Sequence, residues 1–350
     1  MTLGESKPFM IPGSPRAQQR EDWQREYAEA ITDPNELLQL LGLAGQTDAL
    51  GGGSRLDFGL RVPRGFVQRM VPGNPDDPLL LQVLPVSAEL RPRLGFTTDP
   101  LNESEAMPTP GVLHKYRGRV LLTLTGACAV NCRYCFRRHF PYSDANPTHS
   151  HWLPALDYIS GRPDISEVIL SGGDPLVISD ERFAAITSQL GEIEHLKRLR
   201  VHTRLPVVIP SRVTDGLISA LTETKLKPVM VLHVNHPNEI DSSLATAAAR
   251  LADAGVPLLN QSVLLRTIND CAETLTELSE RLFAIRVLPY YLHQLDPVDG
   301  AAHFHVEDIR AIEIARQLRE RLPGYLVPRL VRERIGAPSK VLLDGSWSPA

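Results

Sequence analysis

Short apolar runs alternate with longer amphipathic segments from residue 120 onward, and this alternation constrains the fold more than any other feature of the chain. The runs predicted as buried strands are 120–125, 168–171, 199–202, 229–234, 258–263 and 287–292. The predicted helices are 180–190, 214–221, 241–254, 272–283 and 306–322. Strands that alternate with helices indicate a parallel sheet with right-handed crossovers. Six strands fall short of the eight of a closed barrel, so we expect an α/β fold, a partial (β/α)6 TIM-like barrel, although an open sheet gives the same periodicity.

The residues before this region are predicted to form shorter and less regular elements. Pro, Gly and Asp interrupt residues 1–111 too often for long regular elements, so we expect an N-terminal extension of short helices and loops. Asp33 is predicted as the N-cap of a helix that has Pro34 at its first position. Residues 46–55, with three consecutive glycines, are predicted to form a flexible connector. The barrel is assigned to 112–330 and a C-terminal segment to 331–350.

Charge and hydropathy exclude several classes of protein. The 350 residues contain 37 Lys and Arg against 41 Asp and Glu, a net charge of -4, so a nucleic-acid binder is not expected. No run approaches the roughly 18 apolar residues that a membrane span needs, and the first residues lack the apolar core of a signal peptide. We therefore expect a cytoplasmic protein without a membrane partner.

Three cysteines follow the first predicted strand at Cys-x3-Cys-x2-Cys spacing: Cys128, Cys132 and Cys135. Thiolates select zinc or iron–sulfur clusters, and three of them would leave one iron of a [4Fe–4S] cluster free to bind another group. The alternatives are a Cys3His zinc site completed by His139, or three ordinary buried thiols. The spacing and the position after a strand favour the cluster, while Cys271 lies far along the chain.

The other predicted strands also end in polar residues. They are Ser171, Gly172, Gly173 and Asp174 after the second strand, His202, Thr203 and Arg204 after the third, His233, Asn235 and His236 around the fourth, Asn260, Gln261 and Ser262 in the fifth, and Tyr290, Tyr291, His293 and Asp296 in or after the sixth. Each residue alone is most simply a satisfied structural polar group. Because the carboxyl ends of parallel strands meet at one edge, their recurrence predicts a site there.

Several motifs together resemble the lysine 2,3-aminomutase branch of the radical S-adenosylmethionine (SAM) enzymes, over about residues 72 to 340. They are Cys135-Phe-Arg-Arg, Ser171-Gly-Gly-Asp-Pro-Leu, Asn235-His-Pro-Asn-Glu, Asn260-Gln-Ser-Val-Leu-Leu-Arg and Pro289-Tyr-Tyr-Leu. Within this branch, the segments 131–142 and 333–340 resemble the enzymes that serve β-lysylation of elongation factor P. The resemblance implies conversion of L-lysine to (R)-β-lysine by a 5′-deoxyadenosyl radical, and a separate ligase that attaches the product to the translation factor.

The resemblance also implies cofactors and residue roles. The three cysteines would hold the [4Fe–4S] cluster, whose free iron binds SAM, and Lys340 would carry pyridoxal 5′-phosphate (PLP) as a Schiff base. Arg137 would bind the substrate carboxylate, and Asp296 and Glu333 the distant ammonium. The groups implied around the cofactors are Lys115, Tyr116, Arg119, Gly172, Gly173, Asp174, Gln261 and Tyr290. Lys115 stands where the family often has arginine, and Glu333 where the free-lysine enzymes have aspartate.

Two other functions stay open at this point. A radical SAM aminomutase of another amino acid, such as glutamate 2,3-aminomutase, would need cations or amides in place of Asp296 and Glu333. A non-catalytic zinc-binding partner of the translation factor would use the same cysteines for zinc alone. An oligomer is compatible with the sequence, which does not specify one.

Overall fold

The computed structural model describes residues 21–45, 58–142 and 149–343. The connector predicted over 46–55 lies outside these described residues, and so do both ends of the chain. The division into an extension, a barrel and a C-terminal segment stays a prediction.

A single nine-stranded sheet organises the described part of the chain. Its spatial order follows the sequence, β1-β2-β3-β4-β5-β6-β7-β8-β9. The strands are β1 Val112–Tyr116, β2 Arg119–Thr123, β3 Glu167–Ser171, β4 Arg198–Thr203, β5 Lys227–Leu232, β6 Leu258–Leu264, β7 Leu288–Gln294, β8 Arg329–Arg332 and β9 Val341–Leu342. From β2 to β8 the neighbours are parallel, whereas β1 and β9 pair antiparallel at the two edges. The sheet does not close, so the predicted α/β fold with a partial barrel is confirmed and gains three strands.

Helices follow most of the parallel strands, and further short helices precede β1. They are α1 Asp22–Ala28, α2 Pro34–Leu40, α3 Arg64–Val67, α4 His149–Ser160, α5 Asp180–Gly191, α6 Leu205–Val208, α7 Asp215–Thr222, α8 Ser242–Asp253, α9 Ala272–Ala284 and α10 Asp308–Arg321. The five predicted crossover helices are all present, within two residues of their predicted ends. α4, which contains Pro154, was not predicted.

Short polar side chains fix where these helices begin. The hydroxyl of Thr214 accepts a hydrogen bond from the backbone N–H of Leu217 at 3.0 Å, and the carboxylate of Asp241 accepts one from Leu244 at 2.8 Å. Asp33 accepts one from Asn35 at 2.9 Å, which confirms the predicted N-cap of α2. Each cap satisfies a backbone donor that a helix leaves free at its N-terminus.

One hydrophobic core joins the extension to the sheet. It contains Trp23, Leu37 and Phe66 from the extension, together with residues of every strand from β1 to β8 except those that face the barrel interior. β3 is buried along its whole length, whereas buried residues alternate in β6. Parallel strands buried on both faces read as continuous apolar runs, which is why their positions were visible in the sequence. In the described part of the chain, no helix is long and apolar enough to cross a membrane.

Candidate active site

The cysteine loop leaves the carboxyl end of β2 and rests on the loop after β3. The backbone N–H of Gly173 donates to the carbonyl of Thr125 at 2.7 Å, and that of Asp174 donates to Ala127 at 2.8 Å. A Cβ on Gly172, whose φ is +118°, would lie 2.6 Å from the oxygen of Thr125. A Cβ on Gly173 would lie 2.4 Å from the oxygen of Ala127. Only glycine allows this approach, so these glycines support the cysteine loop directly.

The three thiols of that loop are only partly exposed and influence one another. Burial raises the pKa of Cys128 well above its usual value, with the thiols of Cys135 and Cys132 also contributing. Burial, followed by the charge of Cys132, raises the pKa of Cys135 to about 11. Such thiols lose their protons when they bind a metal, whose positive charge replaces the missing solvation. A three-thiol donor set of this kind fits an iron–sulfur cluster with one open iron.

No three His, Cys, Asp or Glu side chains within residues 21–45, 58–142 and 149–343 are arranged around a point that would suit a single metal ion. Cluster thiolates bind different irons, so they need not converge in that way. His139, the fourth ligand of the zinc alternative, contacts the carbonyl of Asp299 at 3.3 Å. Cys271 lies at the start of α9, where its sulfur is 3.1 Å from the hydroxyl of Thr274.

A buried arginine holds the middle thiol, and sequence reasoning did not assign it this role. Arg204, directly after β4, donates from Nη1 to the sulfur of Cys132 at 2.7 Å and to the hydroxyl of Tyr134 at 2.6 Å. Its Nη2 donates to Gln82 at 2.7 Å and to Glu239 at 3.0 Å. The sequence offered one signal for Arg204, which is a polar residue directly after a strand. Its contact with the thiol of Cys132 gives no local signal, because the two residues are distant in sequence.

The loop after β3 is anchored through Asp174. Its carboxylate accepts hydrogen bonds from the hydroxyl of Thr203 at 2.7 Å and from the backbone N–H groups of Leu176, Arg204 and Leu205 at 2.8–3.0 Å. In this structure Asp174 therefore ties the end of β3 to the end of β4. The predicted contacts of Gly172, Gly173 and Asp174 with a cofactor stay predictions.

Four of the predicted site residues are joined into one line of ion pairs by an acid that was not predicted. Glu103 accepts from Nε and Nη2 of Arg137 at 2.7 and 2.9 Å, and from Nζ of Lys115 at 3.0 Å. Lys115 also lies 3.6 Å from Glu333, which in turn pairs with the ammonium of Lys340. The line Arg137–Glu103–Lys115–Glu333–Lys340 thus alternates cations and acids. We call the opening of the partial barrel beside these five residues its mouth.

Mutual neutralisation keeps these buried groups ionised. Burial raises the pKa of Glu103, but Arg137 and then Lys115 outweigh it, so the pKa lies below its usual value. Burial likewise acts against the charged form of Glu333, yet Lys340 and Lys115 bring its pKa below the usual range. Buried charges are tolerated only with such partners.

Asp296, at the end of β7, lies near this line without being neutralised by it. Burial, and then repulsion by Glu333, raise the pKa of Asp296 to about 7, although Lys340 and Lys115 act in the opposite direction. Two nearby carboxylates of which one, Asp296, stays without an ion-pair partner in the described chain form a place suited to a further ammonium. The structure therefore brings Asp296 and Glu333 together, as the ammonium-binding role would require.

Of the residues predicted around the phosphate, Lys115, Tyr116 and Arg119, the last two are in contact, and the phosphate-binding role stays a prediction. The guanidinium of Arg119 lies over the ring of Tyr116, 4.6 Å from its centroid. Burial and then Glu333 raise the pKa of Tyr116, so its hydroxyl stays protonated. A cavity of about 200 Å³ opens beside Lys115, Tyr116 and Glu333. The rest of its lining is formed by residues 334–337 and by Leu101, Asn102, Glu105 and Ala106.

Three neutral imidazoles, those of His202, His233 and His293, lie at the carboxyl ends of β4, β5 and β7. The rings of His202 and His233 meet edge to face with their centroids 6.1 Å apart. Burial lowers the pKa of His233 to about 3, and it lowers those of His202 and His293 as well. Nε2 of His202 and Nε2 of His293 are buried and have no hydrogen-bond partner in the described chain. Such atoms are expected to bind a ligand.

The remaining predicted contacts lie on the same strands. Gln261 contacts Nε2 of His233 at 2.7 Å. The hydroxyl of Tyr290 donates to that of Tyr291 at 3.0 Å, and the ring of Tyr291 lies 5.9 Å from the ammonium of Lys340. Tyr290 thus contacts a ring that lies beside the predicted cofactor lysine, whereas Gln261 contacts His233, and the cofactor roles of both residues stay predictions.

Comparisons with known proteins bear on the family. No family model matches the chain. The chain is 51% identical to the L-lysine 2,3-aminomutase of Escherichia coli (strain K12) over 93% of this chain and 95% of that protein. It is 49% identical to the L-lysine 2,3-aminomutase of Haemophilus influenzae, over 95% and 98%. It is 38% identical to that of Clostridium subterminale, over 91% of this chain and 77% of that protein.

Among solved structures, Streptococcus suis SuiB bound to S-adenosylmethionine matches with a TM-score of 0.46 and 16% identity, over 63% of this chain and 51% of that chain. That overlap is too weak to carry the assignment, which rests on the relatives in sequence. The two relatives near 50% identity match almost their entire length, and the family predicted from the motifs is confirmed. The chain belongs to the L-lysine 2,3-aminomutase family.

Proposed function

We propose that this protein is an L-lysine 2,3-aminomutase, an isomerase that converts L-lysine to (R)-β-lysine for the β-lysylation of elongation factor P. The observation that carries the proposal is the line of ion pairs from Arg137 to Lys340. It offers the guanidinium of Arg137 at one end and, near its other end, the carboxylates of Glu333 and Asp296, which match the carboxylate and the distant ammonium of lysine. Family membership supports the same conclusion.

The cofactors that fit these residues are a [4Fe–4S] cluster on Cys128, Cys132 and Cys135, SAM at its open iron, and PLP on Lys340. When bound, they supply a 5′-deoxyadenosyl radical and a conjugated ring that supports migration of the amino nitrogen. Lys115, Tyr116 and Arg119 would hold the phosphate of PLP. A lysine at position 115 provides charge without the bidentate fork of an arginine.

The residues of the mouth orient the substrate. Arg137 would bind the α-carboxylate of lysine, a geometry for which a guanidinium is suited. Asp296 and Glu333 would bind its distant ammonium, which would replace the ammonium of Lys340 at Glu333. The arriving charge would lower the pKa of Asp296, so that its carboxyl gives up a proton when lysine binds.

The barrel interior excludes water from the reacting atoms. Its lining includes His202, His233 and His293, which are neutral because burial lowers their pKa. The burial of these rings limits the access of water, and a carbon radical must be kept from solvent and from stray hydrogen donors. The acids at the mouth also bear on the choice of substrate. Asp296 and Glu333 would repel the second carboxylate of glutamate, so they disfavour glutamate as a substrate.

The link to elongation factor P rests on the resemblance of segments 131–142 and 333–340, and the product would pass to a separate lysyl ligase. We propose the cytoplasm as its location, since a cluster needs reduced thiols.

The test is anaerobic reconstitution with iron, sulfide and PLP, followed by labelled L-lysine, SAM and dithionite. We expect β-lysine to form from L-lysine, and no product from L-glutamate or without SAM. Iron, sulfide and zinc analysis of the same protein provides the control. Zinc without iron, or conversion of glutamate in preference to lysine, would refute the proposal.

A further inference from the structure

Glu103 is the one residue that contacts both Arg137 and Lys115 through the same carboxylate in the described part of the chain. Its side chain is almost completely buried, with 3% of the residue exposed. The segment that carries it precedes β1 and is held over the barrel mouth by Asp99, which accepts from the backbone N–H of Glu103 at 2.9 Å. Burying a carboxylate costs several kcal/mol unless it is paired, so the position of Glu103 depends on its contacts with Arg137 and Lys115.

The contacts with Glu103 determine which edge of Arg137 faces the substrate. A guanidinium has five N–H groups, and Nε and Nη2 lie along one side of its plane. Glu103 takes that side with two hydrogen bonds, and Nη1 donates to the hydroxyl of Ser171 at 3.2 Å. These contacts use three of the five N–H groups and leave one on each terminal nitrogen. A second carboxylate would bind bidentately at that remaining edge.

The side chain of Arg137 has several rotatable bonds, so its free edge has no fixed direction without a partner on the opposite side. The rings of Phe136 and Phe140 lie 4.9 and 5.8 Å from its guanidinium and restrain the plane but not the edge. Glu103 supplies the missing restraint. Its second contact, with Lys115, fixes the distance between the carboxylate end of the site and the predicted phosphate end.

We propose that Glu103 is a positioning residue that orients Arg137 for the α-carboxylate of the substrate. The inference rests on the proposed function, since it takes lysine as the ligand. It assigns a role to an acid outside the groups matched to the family motifs. The competing reading is that Glu103 occupies Arg137 and opposes the substrate carboxylate. The two readings predict opposite signs for the same substitution.

Glu103→Gln removes the charge and turns an amide N–H₂ toward the N–H groups of Arg137, while the size of the side chain is kept. The assay is equilibrium dialysis of PLP-loaded protein without SAM, so that no turnover occurs, against labelled L-lysine and labelled 1,5-diaminopentane. The diamine is lysine without its carboxylate. We expect the Kd for L-lysine to rise roughly 10- to 100-fold, in line with the cost of a misplaced binding group. The Kd for the diamine should change less than about 2-fold, since it has no carboxylate for Arg137 to bind.

Two further variants separate positioning from a general loss of stability. Glu167→Gln breaks another partly buried acid–arginine pair, with Arg200, at the start of β3 and so at the end of that strand away from Ser171 and the cysteine loop. It should lower the Tm without changing the ratio of the two Kd values. Glu103→Asp keeps the charge and should recover part of the affinity for L-lysine.

Equal weakening of both ligands, or tighter binding of L-lysine, by Glu103→Gln would overturn the inference and leave the proposed function standing. Wild-type protein that binds L-lysine no better than the diamine would refute both. If Glu103→Gln does not fold, the Kd ratio of Glu103→Asp decides: an unchanged ratio overturns the inference, and a raised ratio supports it.

Discussion

Asp296→Asn tests the electrostatics of the barrel mouth in the protein without cofactor or lysine. The pKa of Asp296 is raised from 3.8 to about 7, chiefly by burial and then by Glu333. Its folded pKa lies above its unfolded one, so the folded state binds the proton more tightly. The stability that this proton contributes is complete below pH 4 and is lost as pH rises through about 7. An asparagine cannot ionise and avoids that loss.

The magnitude follows from the size of the shift. One pKa unit corresponds to about 1.4 kcal/mol, so a shift of about three units destabilises the ionised folded protein by about 4 kcal/mol at most. Part of that loss is already present at pH 5, because the unfolded carboxyl has ionised there. We therefore expect the stabilisation by Asp296→Asn to grow by about 2 to 3 kcal/mol between pH 5 and pH 8.

The assay is urea unfolding of the wild type and the variant at both pH values, under anaerobic conditions and without ligands. Asp22→Asn, on the exposed surface of α1, is the matched control for the substitution itself. The same variant should bind L-lysine more weakly, because one of the two ammonium partners is lost. A stabilisation that is equal at both pH values, or a destabilisation at pH 8, would show that Asp296 does not carry a buried charge.

Three further substitutions test other parts of the site. Lys340→Ala should abolish the imine absorbance of added PLP and the formation of β-lysine; retention of both would remove the cofactor assignment. Gly173→Ala should at least halve the iron bound on reconstitution, because the added Cβ would lie 2.4 Å from the backbone oxygen of Ala127. The control is Gly324→Ala, whose added Cβ meets nothing within 4 Å, and this variant should bind iron normally. Arg204→Lys should lower the free energy of unfolding by about 3 kcal/mol, because the buried groups that the guanidinium contacts lose hydrogen bonds. Urea unfolding that matches the wild type would contradict the structural role of Arg204.

The strands that could be predicted contain short apolar runs, although not all of them are buried on both faces: buried residues alternate in β6. β3 is buried throughout and reads as an apolar run, and each of the six predicted strands is present. β8 was missed because its four residues begin and end with arginine, and β9 because it has only two residues. Neither carries a local signal: β8 forms by pairing between β7 and β9, and β9 by pairing at the edge of the sheet. α4 was missed because Pro154, inside it, argues against a helix.

The site could be predicted where its chemistry is local in sequence. The spacing of the three cysteines is visible in eight residues, and the family motifs pointed to Arg137 and Lys340. Glu103 had no such signal, because it is one acid among several in a loop-rich segment. Its role arises when the segment folds over the mouth and meets Arg137, 34 residues away. Ion pairs between segments distant in sequence are a property of the fold.

The end of β3 couples the two halves of the site. Its last residue, Ser171, contacts Arg137, which is the predicted carboxylate group. The next residues, Gly172 and Gly173, allow the cysteine loop to approach closely, and Asp174 holds the strand beside Arg204, which contacts Cys132. Four consecutive residues therefore set the position of the three thiols relative to the guanidinium of Arg137. In the proposed reaction, a radical generated at the cluster must reach one hydrogen on the substrate and no other, and the distance between the two would depend on this turn of backbone. The paired glycines would thus act through the backbone approach that they permit between two loops.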